Sequence, residues 1–273
     1  MIVECYGITK FPDNGNYAIV LSHHEEGNLR DYLQNNHSKL TLKDRITIFR
    51  GLCSSLYRIH EKDLIHCDLH SGNMLIQASS CRITDLGLCG PVDDESSDKI
   101  YGIIPYIAPE VLQGGKNTKE SDVYSVGMLM WEIFAGHPPF DDKAHGPGLC
   151  LKICEGLRPS LLSNIPADYV QMMKKCWDMD PSKRPTIKEL WVFAQDKLKK
   201  IYENENLGID SNENNDNSVN NDNSSNSQQI HKSHPLAYHT SRILEDDIAK
   251  FKNLKINTSD DGNIPNAGFN EGE

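Results

Sequence analysis

Three polar side chains in the first third of the sequence could together support chemistry on a phosphate group. Asp68 is followed five residues later by Asn73, and a second acidic motif, Asp85-Leu86-Gly87, comes shortly afterwards. Phosphoryl transfer needs a carboxylate near the attacking hydroxyl and hard oxygen ligands for Mg²⁺ beside the phosphates. Either motif alone recurs by chance and is more typical of a surface turn. Their spacing therefore has to be judged with the elements around them.

The elements next to these residues can be predicted from periodicity and capping signals. A long helix is predicted from Thr41, because Thr41 and Asp44 form a capping-box-like pair. Its apolar residues step by three or four positions and predict one buried stripe, formed by Leu42, Ile46, Phe49, Leu52, Leu56 and Ile59. Residues 74–76 and 82–84 are predicted to form a small hairpin, so Asp85 would follow its second strand.

The rest of the folded region changes from strands to helices along the chain. Residues 2–8 and 17–21 are predicted as two strands joined by the turn Pro12-Asp13-Asn14-Gly15. Residues 122–134 are apolar nearly all round, which is typical of a buried central helix. Three more helical stretches follow Pro138-Pro139-Phe140. These elements predict an α+β fold that is mostly helical.

Further motifs follow the two acidic ones in a set order. They are Ala108-Pro109-Glu110, Ser121-Asp122-Val123-Tyr124-Ser125-Val126-Gly127, Trp131-Glu132, His137-Pro138-Pro139-Phe140, Cys176-Trp177 and Asp180-Pro181-Ser182-Lys183-Arg184-Pro185-Thr186. In order and spacing, this series resembles that of the large lobe of eukaryotic-type protein kinases, over residues 2 to about 196. The catalytic loop is similar to those of the tyrosine-kinase-like group. The resemblance implies the protein-kinase fold, with two strands of the small lobe before the large lobe.

The resemblance also implies roles for particular residues. Asp68 would be the catalytic carboxylate that accepts or orients the proton of the substrate hydroxyl, and His70 would replace a common Lys beside it. Asn73 and Asp85 would hold Mg²⁺. The residues implied to bind ATP, through the hinge, the adenine floor and the metal, are Leu21 at the gatekeeper position, Ser22, His23, His24, Leu75 and Asp85.

Two structural roles follow from the same resemblance. Glu110 and Arg184 would form a buried ion pair that fixes the activation segment. Asp122 would anchor the catalytic loop from the central helix. Loss of either partner of the ion pair should destabilise the fold by several kcal/mol, because the remaining charge would be buried alone.

The chain departs from the family pattern inside the site. Cys67 stands where many kinases have an Arg that pairs with a phosphate on the activation loop. We therefore expect that phosphorylation of Ser96, Ser97 or Tyr101 would not switch activity through that contact. Ile103 replaces a Thr that usually hydrogen-bonds the catalytic Asp, so the resemblance leaves both Ser/Thr and Tyr specificity open.

The elements that clamp ATP from above are missing from the sequence pattern. No Gly-rich loop, strand Lys or helix Glu precedes the first strand, and neither G-x-G-x-x-G nor G-x-x-x-x-G-K-[ST] occurs anywhere. Because positioning contributes about 7–11 kcal/mol to such reactions, we expect this chain alone to be inactive and to represent a truncated form. Unpaired strand edges and an uncovered face around Leu75, His66 and Leu86 would also favour poor solubility or a bound partner.

The charge balance and the end of the sequence limit the remaining functions. With 39 Asp and Glu against 28 Lys and Arg, the formal charge is -11, which disfavours nucleic acid and anionic membranes as partners. We interpret residues 1–200 as the partial kinase domain and 201–232 as a disordered Asn/Ser-rich linker. Residues 233–273 are interpreted as an acidic, solvated tail, with the alternative that Ile243, Leu244, Ile248 and Phe251 line a short helix.

Two functions fit these observations. The first is a protein kinase that uses Mg-ATP to phosphorylate Ser/Thr or Tyr hydroxyls of proteins in intracellular signalling. The second is a catalytically inactive, pseudokinase-like module that binds a protein partner. The eight scattered cysteines and the lack of a signal peptide or membrane-spanning stretch favour the cytoplasm.

Overall fold

A computed structural model describes residues 2–78, 80–91, 100–207 and 233–260 of the chain. The first two strands, β1 (Cys5–Lys10) and β2 (Tyr17–Leu21), form an antiparallel hairpin with Lys10 opposite Tyr17. The first strand was predicted to begin at residue 2, but it begins at Cys5. The residues before it pair elsewhere, because the N–H of Val3 donates to the carbonyl of Ile83 at 3.0 Å. The hairpin is largely uncovered, and Ile8, Tyr17 and Ile19 are all exposed.

Two helices follow the hairpin. Helix α1 (Leu29–Asn36) is capped by Asn28, whose side chain accepts a hydrogen bond from the N–H of Asp31. Helix α2 (Leu42–His60) begins with the predicted capping box between Thr41 and Asp44. The predicted apolar stripe is buried from Ile46 onwards, so periodicity and capping together located this helix correctly.

Four short strands surround the loop after α2 that contains Asp68 and Asn73. They are β3 (Leu64–Ile65), β4 (Met74–Gln77), β5 (Ser80–Ile83) and β6 (Gly90–Pro91), and they pair as β3 with β6 and β4 with β5, both antiparallel. The predicted hairpin is thus confirmed. Helix α2 approaches β5 closely at Gly51, where an added Cβ would lie 2.6 Å from the backbone nitrogen of Cys81.

The large helical layer is built around one buried helix. After β7 (Tyr101–Gly102) and α3 (Pro109–Leu112) comes α4 (Lys119–Ala135), in which every residue from 121 to 134 is buried. Helices α5 (Pro147–Cys154), α6 (Ala167–Cys176) and α7 (Ile187–Asn206) complete the layer, with α6 packed on α4 and α7 on α2. The predicted central helix and the three helical stretches after it are confirmed, and the fold is α+β.

The described part of the C-terminal segment is not a solvated tail, and that interpretation was wrong. It contains β8 (Arg242–Ile243) and α8 (Glu245–Asp260), and β8 pairs with β7. Leu244, Ile248 and Phe251 are buried in the same core as the large lobe, with α8 against α5. Ile248 and Phe251 lie on one face of α8, Leu244 directly precedes this helix, and all three are covered by the apolar surface of the lobe. Ile243, in contrast, is exposed.

The proposed boundary at residue 200 also needs adjustment, because α7 continues to Asn206. Most of the Asn/Ser-rich stretch, together with Ser96, Ser97 and the last residues of the sequence, lies outside the described ranges. Among the helices that are described, none has the combined length and apolar character required to cross a membrane.

Candidate active site

The loop between β3 and β4 is held by a buried carboxylate from the central helix. The side chain of Asp122, which is 2% exposed, accepts hydrogen bonds from the N–H of His66 at 2.8 Å and of Cys67 at 3.1 Å. Cys67 has a φ of 69°, a conformation that is unfavourable for a residue with a side chain. The two bonds to Asp122 offset that cost and fix the backbone that leads directly into Asp68.

Asp68 and Asn73 are brought together across this loop, as their spacing predicted. The Nδ2 of Asn73 donates to the backbone oxygen of Asp68 at 3.0 Å and to its carboxylate Oδ2 at 3.3 Å. Because the amide nitrogen is used in this way, the amide oxygen of Asn73 is oriented away from Asp68 and can act as a hard ligand.

The carboxylate of Asp68 is buried yet stabilised in its ionised form. Burial acts to raise its pKa, but a hydrogen bond and the electrostatic interaction with His70, a hydrogen bond from Ser241 and the electrostatic interaction with His66 together lower the pKa below its ordinary value. Asp68 is therefore an anionic hydrogen-bond acceptor at neutral pH, as a group that orients a hydroxyl proton must be.

His70 lies beside Asp68 with a defined orientation. Its Nδ1 accepts a hydrogen bond from the N–H of Gly72 at 3.1 Å, so the ring proton is on Nε2. Nε2 lies 3.6 Å from Oδ2 of Asp68. The imidazole of His70 thus presents a hydrogen-bond donor at the position where, by the resemblance, many kinases have a Lys.

Asp85 is adjacent to this loop through the backbone of the hairpin. The N–H of Thr84 donates to the carbonyl of Asn73 at 3.0 Å, which places the next residue, Asp85, near Asn73. Asp85 has a φ of 56° and an exposed side chain, and its Oδ1 accepts the N–H of Gly87 at 3.2 Å. An amide oxygen and an exposed carboxylate are oxygen donors of the kind that Mg²⁺ prefers, so the donor set fits this ion.

The residues directly after the predicted hinge pair with the strand of the predicted adenine floor. Asn28 bridges to Leu75, and the N–H of Ile76 donates to the carbonyl of Gly27 at 2.9 Å. Leu75 is half-buried, while Leu21 and His23 are exposed. These contacts place Gly27 and Asn28 beside β4, and Leu21, Ser22, His23 and His24 precede them in the chain.

One polar atom in the hinge is buried without a hydrogen-bond partner. The ring of His24 is buried, its Nε2 contacts Oγ of Ser22 at 3.3 Å, and its Nδ1 has no hydrogen-bond partner among the described residues. A buried polar atom without a partner is costly. Because this nitrogen is enclosed, a bound base would pair with it only if the His24 side chain moved.

The ion pair predicted between Glu110 and Arg184 is present and bidentate. Nη1 and Nη2 of Arg184 donate to the two carboxylate oxygens of Glu110 at 2.6 and 2.8 Å. The Arg184 side chain is fully buried, whereas that of Glu110 is 24% exposed. The guanidinium also lies over the ring of Tyr124. The pair joins α3 to the turn before α7 and so supports the segment that carries β7.

A family model described as "Protein tyrosine and serine/threonine kinase" matches residues 1–193. The chain belongs to the protein kinase family. Most of its matched length is the helical lobe whose site is described above.

Named relatives of this kinase domain come from a virus, an amoeba and an animal. A serine/threonine-protein kinase/receptor of Acanthamoeba polyphaga mimivirus is 32% identical over 64% of this chain and 11% of the viral protein. The dual specificity protein kinase zakA of Dictyostelium discoideum is 29% identical over 68% of this chain and 26% of the relative. Receptor-interacting serine/threonine-protein kinase 1 of Homo sapiens is 30% identical over 71% of this chain and 34% of the human protein. The chain thus spans about a third or less of the length of these relatives.

The sequence reasoning missed a buried network behind the catalytic loop of this kinase domain. The hydroxyl of Tyr106 donates to Oε2 of Glu132 at 2.7 Å, and Ser71 lies 3.5 Å from the same hydroxyl. Burial raises the pKa of Glu132. The Trp131-Glu132 motif was recognised, but nothing in its spacing indicated Tyr106 as the partner.

A second missed residue lies directly on Asp68. Ser241, 173 residues further along the chain, places its Oγ 2.8 Å from Oδ1 and 2.7 Å from Oδ2 of Asp68. Ile103, at the position of the usual Thr, is buried and has no hydroxyl to offer. The hydroxyl on the Asp68 carboxylate therefore comes from the C-terminal segment, for which no motif gave a signal.

Proposed function

We propose that this kinase domain transfers the γ-phosphoryl group of ATP to the hydroxyl of a serine or threonine in a protein. One contact carries the proposal: an aliphatic hydroxyl, that of Ser241, lies within 2.8 Å of both oxygens of Asp68. The space beside the carboxylate is thus shaped for an alcohol oxygen. The names of the relatives, which include serine/threonine and dual specificity kinases, support the same acceptor class.

Each residue of the loop has a distinct task in this reaction. Asp68 orients the acceptor hydroxyl and takes up its proton as the new bond to phosphorus forms. His70 directs its Nε2–H toward the acceptor oxygen and holds it in place. Asp122 fixes the backbone under both residues, so that the carboxylate does not have to reorganise.

The nucleotide and its metal would be held by the other predicted residues. Asn73 and Asp85 would hold Mg²⁺, which when bound neutralises charge on the phosphates. The hinge from Leu21 to His24 would hold the adenine edge above Leu75. A protein substrate in the cytoplasm is the partner that this reaction requires, and the eight cysteines, which form no disulfide within the part of the chain that the structure describes, are consistent with a reducing compartment.

Replacement of Asp68 tests the function. The 273-residue chain is incubated with Mg-ATP and a casein–histone mixture, and transferred phosphate is measured together with the phosphoamino acid formed. Asp68→Asn should lower the rate by roughly 10²–10⁴-fold, with phosphate on serine and threonine in the wild type. Asp13→Asn, on the exposed hairpin turn, should match the wild type. Equal rates for wild type and Asp68→Asn, or phosphate on tyrosine alone, would contradict the proposal.

The alternative function is a protein-interaction module without catalysis. It agrees with the expectation, drawn above from the sequence pattern, that this chain alone is inactive. It is favoured more weakly by Cys67 and Ile103, which replace two residues that kinases use around the catalytic Asp, and by the exposed apolar hairpin of β1 and β2. Cells in which Asp68→Asn supports the full biological function of the protein would favour this module over the enzyme.

A further inference from the structure

The hydroxyl of Ser241 is arranged as a nucleophile and not merely as a neighbour of Asp68. Because Nδ1 of His70 accepts the N–H of Gly72, Nε2 carries the ring proton and donates it to Ser241 Oγ at 2.9 Å. The hydroxyl proton of Ser241 is therefore left to point at Asp68, with both carboxylate oxygens within 2.8 Å. This chain of donors runs from His70 through the serine to the carboxylate and polarises the Oγ–H bond.

Main-chain pairing fixes the position of that serine. Strand β8 pairs antiparallel with β7, with Gly102 opposite Arg242, and the N–H of Leu244 donates to the carbonyl of Ile100 at 3.0 Å. The hydroxyl of Tyr101 donates to the carbonyl of Ser241 at 3.3 Å. Addition of a strand to an exposed edge is a general way in which proteins bind extended peptides.

The edge itself lies directly beside the catalytic carboxylate. Gly102 has a φ of +134°, and a Cβ at this position would come within 3.3 Å of Asp68 Oδ1. A peptide paired with β7 therefore has its backbone at a set distance from Asp68, and in this chain the residue before Arg242, Ser241, places its short side chain on the carboxylate.

The residues before Ser241 follow a second surface of the lobe. The N–H of His234 donates to the carbonyl of Asp141 at 2.7 Å, and the N–H of His145 donates to the carbonyl of Leu236 at 2.8 Å. The N–H of Tyr238 donates to Nδ1 of His145 at 3.1 Å. Further along, Nη1 of Arg30 donates to the carbonyl of His239. Most of these contacts involve the backbone of the segment, as expected for the recognition of an extended peptide.

The residues after Ser241 anchor the segment to the helical layer. Nη1 of Arg242 pairs with Asp247 at 2.6 Å, and its Nη2 donates to the carbonyl of His145 at 3.2 Å. Leu244, Ile248 and Phe251 are buried against α5. An apolar anchor on one side and backbone contacts on the other hold the serine between them.

We propose that residues 233–251 are a substrate peptide bound in cis, and that Ser241 is the residue this kinase domain phosphorylates on its own chain. The inference rests on the proposed function. While the segment is bound, it excludes other protein substrates from Asp68.

The reaction at Ser241 balances with ATP as the only co-substrate. Ser241 Oγ forms a bond to the γ-phosphorus, and the bond from that phosphorus to the β–γ bridging oxygen breaks, so ADP leaves with the electron pair. The hydroxyl proton passes to Asp68 and then to water. The resulting phosphoserine carries about -1.5 to -2 charges next to the Asp68 carboxylate. Repulsion then favours release of the segment and opens the groove to other substrates.

A structural role for the serine is the competing explanation. Ile103 has no hydroxyl, so Ser241 could simply supply the hydrogen bond that a Thr makes in other kinases. The two roles predict opposite effects of Ser241→Ala on the phosphorylation of an added protein. If Ser241 belongs to a bound substrate, Ser241→Ala weakens binding of the segment and raises the rate at which the added protein is phosphorylated. If the hydroxyl is structural, its loss lowers that rate.

Site-resolved mass spectrometry of the full-length chain tests the proposal. The chain is incubated with Mg-ATP and casein, and phosphate is quantified on Ser241, on Thr240 and on casein over a 100-fold dilution of the chain. We expect phosphate on Ser241 with a half-time independent of chain concentration, and none in Asp68→Asn. Thr240→Ala, whose side chain is exposed, should keep this signal. Ser241→Ala and Phe251→Asp should each raise casein phosphorylation several-fold.

Each other result overturns a defined part of the inference. Phosphate on casein but not on Ser241, or a half-time that shortens in proportion to concentration, would exclude phosphorylation in cis and leave the proposed function intact. Casein phosphorylation that falls in Ser241→Ala would establish the structural role instead.

If neither Ser241 nor casein is phosphorylated, the proposed function fails and Ser241 is not an acceptor in this chain. Amide hydrogen exchange then decides whether the segment is docked. Docking predicts protection at Leu244 that falls at least tenfold in Phe251→Asp while α4 stays protected. Equal exchange in both proteins would exclude the docked segment altogether.

Discussion

The carboxylate of Asp122 accepts the backbone N–H of His66 at 2.8 Å, and the same oxygen contacts Nε2 of His60 at 2.9 Å. This oxygen lies at the junction of three elements: α4, which carries Asp122, the end of α2, and the start of the catalytic loop. All three residues are buried. The position of Asp68, two residues after His66, thus depends on a side chain of the buried helix α4.

Asp122→Asn should therefore reduce activity more than it reduces stability. The amide would keep the volume but replace an acceptor oxygen by a donor facing a backbone N–H, at a cost of about 1–3 kcal/mol. A small displacement of Asp68 should lower kcat by roughly 10²-fold. Urea unfolding and initial rates measure the two effects. A variant that loses stability but retains full kcat would show that Asp122 does not position the loop.

The pH dependence of activity should reflect the environment of Asp68. Burial raises the pKa of this carboxyl, but the His70, Ser241 and His66 contacts outweigh it, so the folded pKa lies below the ordinary 3.8. The active, ionised form is then lost only as the pH falls through the lowered value. Ser241→Ala removes one of the lowering contacts and should move the acid limb of the rate profile to higher pH. An unchanged acid limb would contradict this assignment.

The same lowered pKa has a consequence for stability. A carboxyl whose folded pKa is depressed stabilises the fold fully above its unfolded pKa, and this contribution declines as the pH falls through the folded pKa. For Asp68 that window lies at and below pH 3.8. In Asp68→Asn, the dependence of unfolding free energy on pH in this window should be smaller than in the wild type.

Removal of the carboxylate of Glu110 should be among the most destabilising changes in the chain. Glu110→Ala would leave the guanidinium of Arg184, whose side chain is fully buried, without its counter-charge, at a cost of about 3 kcal/mol. Glu110→Gln also removes the negative charge but keeps one acceptor oxygen for the guanidinium, so it should cost nearly as much as Glu110→Ala if the lost charge dominates. Denaturant unfolding gives both values, and a cost close to zero for Glu110→Gln would refute the charge explanation.

The close approach of α2 to β5 can be tested with a single methyl group. In Gly51→Ala the new Cβ would lie 2.6 Å from the nitrogen and 2.8 Å from the oxygen of Cys81, both backbone atoms. We expect a destabilisation of about 1–3 kcal/mol, since backbone cannot yield as a side chain can. Gly148→Ala in α5 is the matched control, because its Cβ would meet nothing within 4 Å. Similar stabilities for the two variants would show that the approach is not tight.

The prediction of the lobe succeeded where the signal was local. Thr41 and Asp44 determine the start of α2 through contacts within one helical turn, and the apolar stripe after them states which face is buried. The motifs from Asp68 to Arg184 also keep a set order, so the ion pair between Glu110 and Arg184 could be expected before any distance was known. Capping residues and the spacing of family motifs can both be recognised in a single sequence.

Only the tertiary structure decided the fate of the C-terminal segment. Leu244, Ile248 and Phe251 show the spacing of a helix face, but spacing does not say which surface covers that face, and a solvated tail was preferred. Ser241 and Asp68 are 173 residues apart, and no local interaction links them. The sequence by itself determined the kinase lobe and its acidic residues, because helices, turns and family motifs are encoded over short ranges. Only the tertiary structure determined which hydroxyl contacts Asp68, because Ser241 is placed there by the packing of α8 on α5 and the pairing of β8 with β7. Contacts between distant parts of a chain depend on surface shapes that exist only after folding.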